Sequence, residues 1–65
     1  MRFGEILKEL RLEHEISQME LSKRTGISQS AIAKWELSKT EPTATAIVII
    51  ANFFSVTTDF LLGVE

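Results

Sequence analysis

The sequence contains no cysteine and a single histidine, His14, among its 65 residues. Disulfides and cysteine-ligated metal sites are therefore excluded. No Ser/His/Asp, Cys/His or metal-ligating set can be assembled from the residues present. We accordingly expect no enzyme activity, no metal, no cofactor and no small-molecule ligand. The longest apolar stretches also fall short of the roughly 18 residues that cross a membrane, and acids occur too early in the chain for a signal peptide.

Glycine and proline are scarce, with three and one residues respectively, and most of them fall where helices are expected to end. Gly26 and Gly63 follow apolar-periodic segments, and Pro42 closes the short connection 37–42. Helical spacing of the apolar residues predicts helices over 2–14 and 44–54 and a short one between Thr57 and Gly63, in addition to two helices within 17–36. The expectation is an all-α fold of five helices around one core, with residues 1–65 forming one domain.

The segment from Ser17 to Glu36 organises the rest of the chain. Ser17 and Glu20 have the spacing of a capping box, and Ser28 can cap a second helix. Gly26 supplies the left-handed residue that ends the first of the two helices. Apolar residues stand at the spacing of a hydrophobic staple around each cap, Ile16 with Leu21 and Ile27 with Ile32. Two capped helices across such a turn form a helix-turn-helix, which can insert its second helix into the DNA major groove.

The outward face of the second motif helix is small and polar. Gln29, at its first position, can bond bidentately to the N6 and N7 atoms of adenine and is the leading candidate for reading a base. Ser30 and Lys34 flank it, and Lys34 can reach guanine or a phosphate. Ala33 offers a methyl group to a thymine methyl. Ser28 is both a cap and a candidate phosphate donor, and Gln18 heads a helix whose dipole favours phosphate.

The net charge of −2 argues against a nucleic-acid partner, but the distribution of the charges changes that conclusion. Residues 1–21 sum to −2 and residues 41–65 to −3. The stretch 22–40 carries a net charge of +3, from Lys23, Arg24, Lys34 and Lys39 against Glu36. Because phosphate attraction acts over a screening length of about 8 Å, the local charge matters more than the total. We expect modest and salt-sensitive affinity for DNA.

The chain resembles the phage-repressor (Cro-type, lambda-repressor-like) helix-turn-helix family over nearly its whole length. The resemblance rests on Arg11, Gln18, Leu21, Gly26, Ile27, Ser28, Gln29, Ile32, Trp35-Glu36, Pro42, Val56 and Phe60-Leu61-Leu62. It implies a compact five-helix domain that binds double-stranded DNA sequence-specifically and acts as a transcriptional regulator. Repression of transcription is the expected effect, and the expected location is the cytoplasm of a bacterial or phage-infected cell. The alternative is a protein-interaction module on the same fold, such as an antitoxin or an adaptor.

The resemblance also implies roles for individual residues. Arg11, which continues the inward stripe of Leu7, would pair with Glu36; the alternative is that both are ordinary exposed charges. Gln18 would contact a phosphate and brace Gln29. The family usually has glycine where this chain has Ser38, and serine costs about 1–2 kcal/mol if the backbone there needs a positive φ. Lys39 and Thr40 are the candidates in that loop for contacting the DNA backbone.

The second half of the chain has more apolar surface than a small domain can bury. Ile47, Ile50, Ala51 and Phe54 form a core stripe, and Ala46, Ile49 and Phe53 form a second stripe on an adjoining face. We expect a weak homodimer on a pseudo-palindromic operator, because one helix reads only a few base pairs. The interface candidates are Ile49, Phe53, Phe60, Leu62 and Val64. The alternative is that a longer native chain covers this surface with another domain.

Overall fold

A computed structural model describes residues 2–64, and in this range the chain forms five α-helices. They are α1 (Phe3–Glu13), α2 (Gln18–Thr25), α3 (Gln29–Glu36), α4 (Ala44–Phe54) and α5 (Thr58–Leu62). The all-α fold and the helix order agree with the sequence analysis. None of these helices has the length and apolar character that a membrane span requires.

Hydroxyl side chains fix the starts of the last four helices. In each case the oxygen of the capping residue accepts a hydrogen bond from the backbone N–H three residues later, at Ser17, Ser28, Thr43 and Thr57. This satisfies one of the amides that a helix start leaves without a partner. The capping box expected at Ser17 departs from the prediction in one respect. The Glu20 carboxylate accepts from Arg24 Nε at 2.6 Å, one helical turn further on.

Left-handed residues end most of the helices, and several of them are not glycine. Gly26 and Gly63 have φ of 78° and 75°, as the sequence predicts. Glu15, Ser38 and Ser55 have φ between 55° and 58°, where a side chain costs about 1–2 kcal/mol. After Glu15 and Ser55, the next residue bonds back to a carbonyl five positions earlier and packs on the core, Ile16 in one case and Val56 in the other.

One hydrophobic core joins the five helices. Its buried side chains are Phe3, Ile6, Leu7, Leu10, Leu21, Ile32, Trp35, Ala46, Ile50, Ala51, Phe54 and Leu61. Two residues of α4 differ from the prediction. Ala46, assigned to the outer stripe, is buried, whereas Ile47, assigned to the core, is only partly buried and packs at its margin. The core-facing arc of α4 is therefore rotated toward Ala46, because the helix packs against both α2 and α5.

Gly4 sets the distance between α1 and α3, a role that the sequence analysis missed. It is buried, and a Cβ atom built on it would lie 2.0 Å from the backbone carbonyl oxygen of Trp35. The same approach brings the Phe3 and Trp35 rings edge to face at 5.8 Å. Only glycine lets the two backbones come this close.

We expect Gly4→Ala to destabilise the domain by at least about 2 kcal/mol, because the added methyl must push two backbones apart. Glycine-to-alanine changes inside helices normally stabilise by about 1 kcal/mol, so the expected sign is opposite to helix propensity. Urea unfolding measures the effect. Glu5→Ala is the control, since Glu5 is exposed on the same helix. A Gly4→Ala variant at least as stable as wild type would contradict the close approach.

Candidate nucleic-acid interface

One face of α3 forms an exposed polar surface. Gln29 and Ser30 occupy its first two positions and are exposed, as is Lys34 one turn later. Ser28 Oγ accepts from the Ala31 amide at 3.1 Å, which fixes the start of the helix. Ala33 is partly buried, so only part of its methyl group is accessible. The structure therefore brings three of the four predicted base-reading residues to the surface of one helix and leaves the fourth at its edge.

The turn between α2 and α3 holds this surface in place. Gly26 reverses the backbone in the left-handed region, and its amide bonds to the Ser22 carbonyl at 2.9 Å. Leu21 and Ile32 are then completely buried, and Ile27 packs against the same core. Because apolar residues on their inner sides anchor both helices to the core, the polar face of α3 makes no packing contacts that the fold requires.

Arg11 and Glu36 form the ion pair that the resemblance implies. Arg11 Nε donates to Glu36 Oε2 at 2.7 Å, and Arg11 Nη2 donates to Glu36 Oε1 at 2.9 Å. The two side chains are only 10% and 5% exposed. The remaining terminal nitrogen of Arg11 donates to the Ile16 carbonyl at 3.0 Å. This geometry joins α1, the α1–α2 connection and the end of α3.

Gln18 belongs to the same cluster. Its Nε2 donates to Glu36 Oε1 at 3.0 Å, rather than to Gln29, which the resemblance implies as its partner. Gln18 is the first residue of α2 and is half-buried. The sequence offered no signal for this bond, because it depends on how closely the start of α2 approaches the end of α3.

The protonation equilibria reflect this arrangement. Burial alone would raise the pKa of the Glu36 carboxyl, but hydrogen bonds from Arg11 and Gln18 outweigh burial and hold that pKa below its ordinary value. The hydrogen bond to Glu36 likewise raises the pKa of the Arg11 guanidinium, against the effect of its own burial. Both groups are therefore charged in the folded protein at neutral pH.

The charges near α3 are distributed in favour of an anionic partner. Glu36, the one acid of the stretch 22–40, is buried and neutralised by Arg11. Arg24 is paired with Glu20 on the surface of α2. Lys23, Lys34 and Lys39 are exposed and take part in none of the ion pairs formed within residues 2–64. Three cations are thus available around the motif without a competing carboxylate in that stretch.

The connection after α3 carries the other two predicted phosphate-binding residues. Ser38 is left-handed, and the Lys39 amide bonds to the Lys34 carbonyl at 2.9 Å. Lys39 and Thr40 are exposed. Thr40 also borders a cleft of about 160 Å³ at the start of α1, lined further by Phe3, Gly4, Trp35, Ser38, Glu41 and Pro42. Within residues 2–64, no group of three or more His, Asp or Glu side chains is arranged to hold a metal ion.

The predicted dimer residues divide into two sets. Phe60 and Val64 are exposed, at 41% and 71%, and Leu62 between them is partly buried. On α4, Ile49 is partly buried, and Phe53 packs against the core with its ring edge-to-face on Phe54 at 4.9 Å. The C-terminal set therefore offers more free apolar surface than the α4 set.

A fold of five short helices with a capped helix-turn-helix at α2 and α3 defines a helix-turn-helix domain. The family model described as "Helix-turn-helix" matches residues 7–61. The chain therefore belongs to this helix-turn-helix family.

Similar curated proteins carry regulatory names. The chain is 40% identical over its full length to the HTH-type transcriptional activator BcrR of Enterococcus faecalis, of which it covers 32%. It is 37% identical over 92% of its length to the SPbeta prophage-derived uncharacterized HTH-type transcriptional regulator YonR of Bacillus subtilis, covering 56% of that protein. It is 34% identical over 91% of its length to Repressor protein C2 of Salmonella phage P22, covering 27%.

The chain thus spans about a quarter to just over half of the length of these relatives. No solved structure gives a significant match.

We expect Arg11→Met and Glu36→Gln each to destabilise the domain by about 3–5 kcal/mol, because each leaves the other partner buried without its counter-charge. The double variant should cost much less than the sum of the two, since it removes both partners. A double-mutant cycle by urea unfolding measures the coupling. Additive losses would mean that the two side chains do not stabilise each other in solution.

The lowered pKa of Glu36 predicts a pH dependence. A carboxyl whose pKa is depressed by folding stabilises the native state above its unfolded pKa of about 4.3 and loses that contribution as the pH falls through the folded value. The difference in unfolding free energy between wild type and Glu36→Gln should therefore be constant near neutral pH and shrink below about pH 4.3. The other carboxyls are common to both proteins and cancel. A constant difference down to pH 3 would contradict the depressed pKa.

Proposed function

We propose that this chain binds double-stranded DNA sequence-specifically, with α3 in the major groove, and acts in transcriptional regulation. The observation that carries the proposal is the exposed row Gln29, Ser30 and Lys34 on a helix whose opposite side is buried. A helix can enter the major groove only if one whole face is free of tertiary contacts. The family membership and the names of the relatives support the same reading.

The proposed base readout follows from donor and acceptor patterns. A glutamine offers one carbonyl and one NH₂ group in a plane, which matches N6 and N7 of adenine. Gln29 holds the first position of α3, where side chains reach the groove floor. Ser30 can bond to several base edges, and Lys34 to guanine O6 or N7. Ala33 is at the margin of this surface and would touch a thymine methyl.

The proposed phosphate contacts come from residues around that face. Gln18 lies at the start of α2 and Ser28 at the start of α3, where unpaired amides favour an anion. Lys39 and Thr40 follow α3 in an exposed connection. These contacts would position the domain on DNA without reading its sequence. With few free cations, the affinity should be modest and fall with salt.

The regulatory consequence depends on where the operator lies. We propose that this chain represses transcription, since a domain bound in the major groove of a promoter excludes other proteins from that promoter. The relatives' names include both an activator and a repressor. A bacterial or phage-infected cytoplasm is the proposed location. We propose a non-enzymatic role, in keeping with the regulatory names of the relatives.

We further propose that two copies bind one pseudo-palindromic operator. A two-fold pair buries the same surface from both chains, so it needs a self-complementary apolar patch. Phe60 and Val64 are the most exposed apolar residues of the C-terminal set, with Leu62 beside them, and Ile49 and Phe53 are secondary candidates. The half-sites would lie about 34 Å apart, one turn of DNA.

A protein-interaction module, such as an antitoxin or adaptor, is the second candidate function. The exposure of large apolar side chains such as Leu12, Leu37 and Val64, at 58%, 66% and 71%, favours it. The two functions differ in their salt dependence. A phosphate-dependent binder weakens steeply as salt rises, whereas an apolar docking module shows no such binding to mixed duplex.

Selection of duplexes from a random DNA pool, followed by titration at two salt concentrations, tests the DNA-binding function. We expect Gln29→Ala to lose roughly 5- to 150-fold in discrimination at one base step, the equivalent of ~1–3 kcal/mol. Gln18→Ala is the matched control, because it should weaken selected and mixed duplexes by the same factor. A Gln29→Ala protein with the full ratio of selected to mixed affinity would remove Gln29 from the readout. Salt-independent or absent binding by wild type would refute the function.

Sedimentation with and without the selected duplex tests the dimer. We expect weak self-association alone and two chains per duplex at saturation, because the operator holds both copies close together. Phe60→Lys should abolish the pairing, since it places a charge in an apolar contact. Val48→Lys is the control at an exposed apolar residue outside the proposed interface. One chain per duplex at saturation would exclude the dimer.

A further inference from the structure

Three hydrogen-bond donors converge on the two carboxylate oxygens of Glu36. Arg11 Nε donates to Oε2, while Arg11 Nη2 and Gln18 Nε2 both donate to Oε1, at 2.7, 2.9 and 3.0 Å. The Glu36 side chain is 5% exposed. Arg11 alone would balance its charge, so the bond from Gln18 is additional to the ion pair. It connects the buried pair to a residue at the proposed DNA surface.

The chemistry of the partners fixes the orientation of the Gln18 side chain. An ionised carboxylate only accepts hydrogen bonds, so the NH₂ end of the carboxamide must face Glu36 and its oxygen must point elsewhere. One N–H of that NH₂ group is then used, and the second remains as a donor. A free glutamine on a helix surface would instead sample several rotamers and both amide orientations.

We propose that Glu36 is a positioning residue for DNA binding, and that its carboxylate holds the Gln18 carboxamide with one N–H directed to a DNA phosphate. The inference rests on the proposed function, since it concerns how the phosphate contact is prepared. Preorganisation of this kind improves affinity because the side chain has already lost its rotamer freedom before DNA arrives. Glu36 thus acts through Gln18 and touches no DNA itself.

Glu36→Gln is the informative substitution because it keeps the shape of the side chain and changes which hydrogen bonds the side chain can accept. A carboxamide offers one oxygen and one NH₂ group, so it cannot accept from all three donors. Arg11→Lys is the matched control. It removes the bidentate contact and weakens the ion pair, but it leaves a carboxylate for Gln18.

Affinities for a mixed-sequence duplex are compared for wild type, Glu36→Gln, Gln18→Ala, the double variant and Arg11→Lys, at a temperature where circular dichroism shows each to be folded. We expect Glu36→Gln and Gln18→Ala each to weaken binding by about tenfold. The double variant should bind no more weakly than Gln18→Ala alone, and Arg11→Lys should bind like wild type. If the role of Glu36 were only structural, the affinity losses of Glu36→Gln and Gln18→Ala would multiply in the double variant. Arg11→Lys would then also bind DNA more weakly than wild type.

Nuclear magnetic resonance of the wild-type protein supplies a readout that needs no variant to fold. On addition of mixed duplex, we expect one of the two side-chain amide protons of Gln18 to shift and the other, bonded to Glu36, to keep its position. Equal affinity of Glu36→Gln and wild type, or movement of both protons, would overturn the inference while leaving DNA binding intact. Absence of duplex binding by wild type would overturn both.

Discussion

The buried carboxylate of Glu36 is the constraint on which the arrangement of the first three helices depends. Burial disfavours its charge, and only donors from other segments restore the balance. Arg11 brings α1 to it, and through its bond to the Ile16 carbonyl it also holds the α1–α2 connection. Gln18 brings the start of α2. One buried charge thereby links three helices, in addition to the packing of Gly4 against Trp35 and of Leu21 and Ile32 in the core.

The same constraint explains how a chain of net charge −2 can offer a surface to an anion. Glu36 contributes its charge to the total, but it is buried and paired with Arg11, so it adds little negative potential at the protein surface. The exposed lysines of the stretch 22–40 are then opposed by no free acid of that stretch. The remaining acids lie mostly on α1 and beyond residue 40, outside the helix-turn-helix. Over a screening length of about 8 Å, local charge decides the attraction.

Local signals in the sequence predicted the helices well, because caps and left-handed turns act over three to five residues. Ser17, Ser28, Thr43 and Thr57 start helices where their spacing indicates. Features that depend on packing could not be obtained this way. The approach of Gly4 to Trp35 needs the α1–α3 distance, and the burial of Ala46 needs the rotation of α4 against its neighbours. The partner of Gln18 was missed for the same reason, while the roles of Gln29, Ser30 and Lys34 toward DNA stay predictions.

The connection after α3 differs from those after α1 and α4 in the residue that follows the left-handed position. After α1 and α4, the left-handed residue is followed by Ile16 or Val56, each packed on the core. After α3, Ser38 takes the same strained conformation, but the next residue is the exposed Lys39. The strain there costs about 1–2 kcal/mol, and the Lys39 amide bonds to the Lys34 carbonyl as the matching amides do after α1 and α4, but Lys39 adds no apolar contact with the core. Residues in a strained backbone conformation that is not stabilised by core packing are typical of functional segments. The turn keeps Lys39 exposed just after α3, which is where we propose that it meets a phosphate.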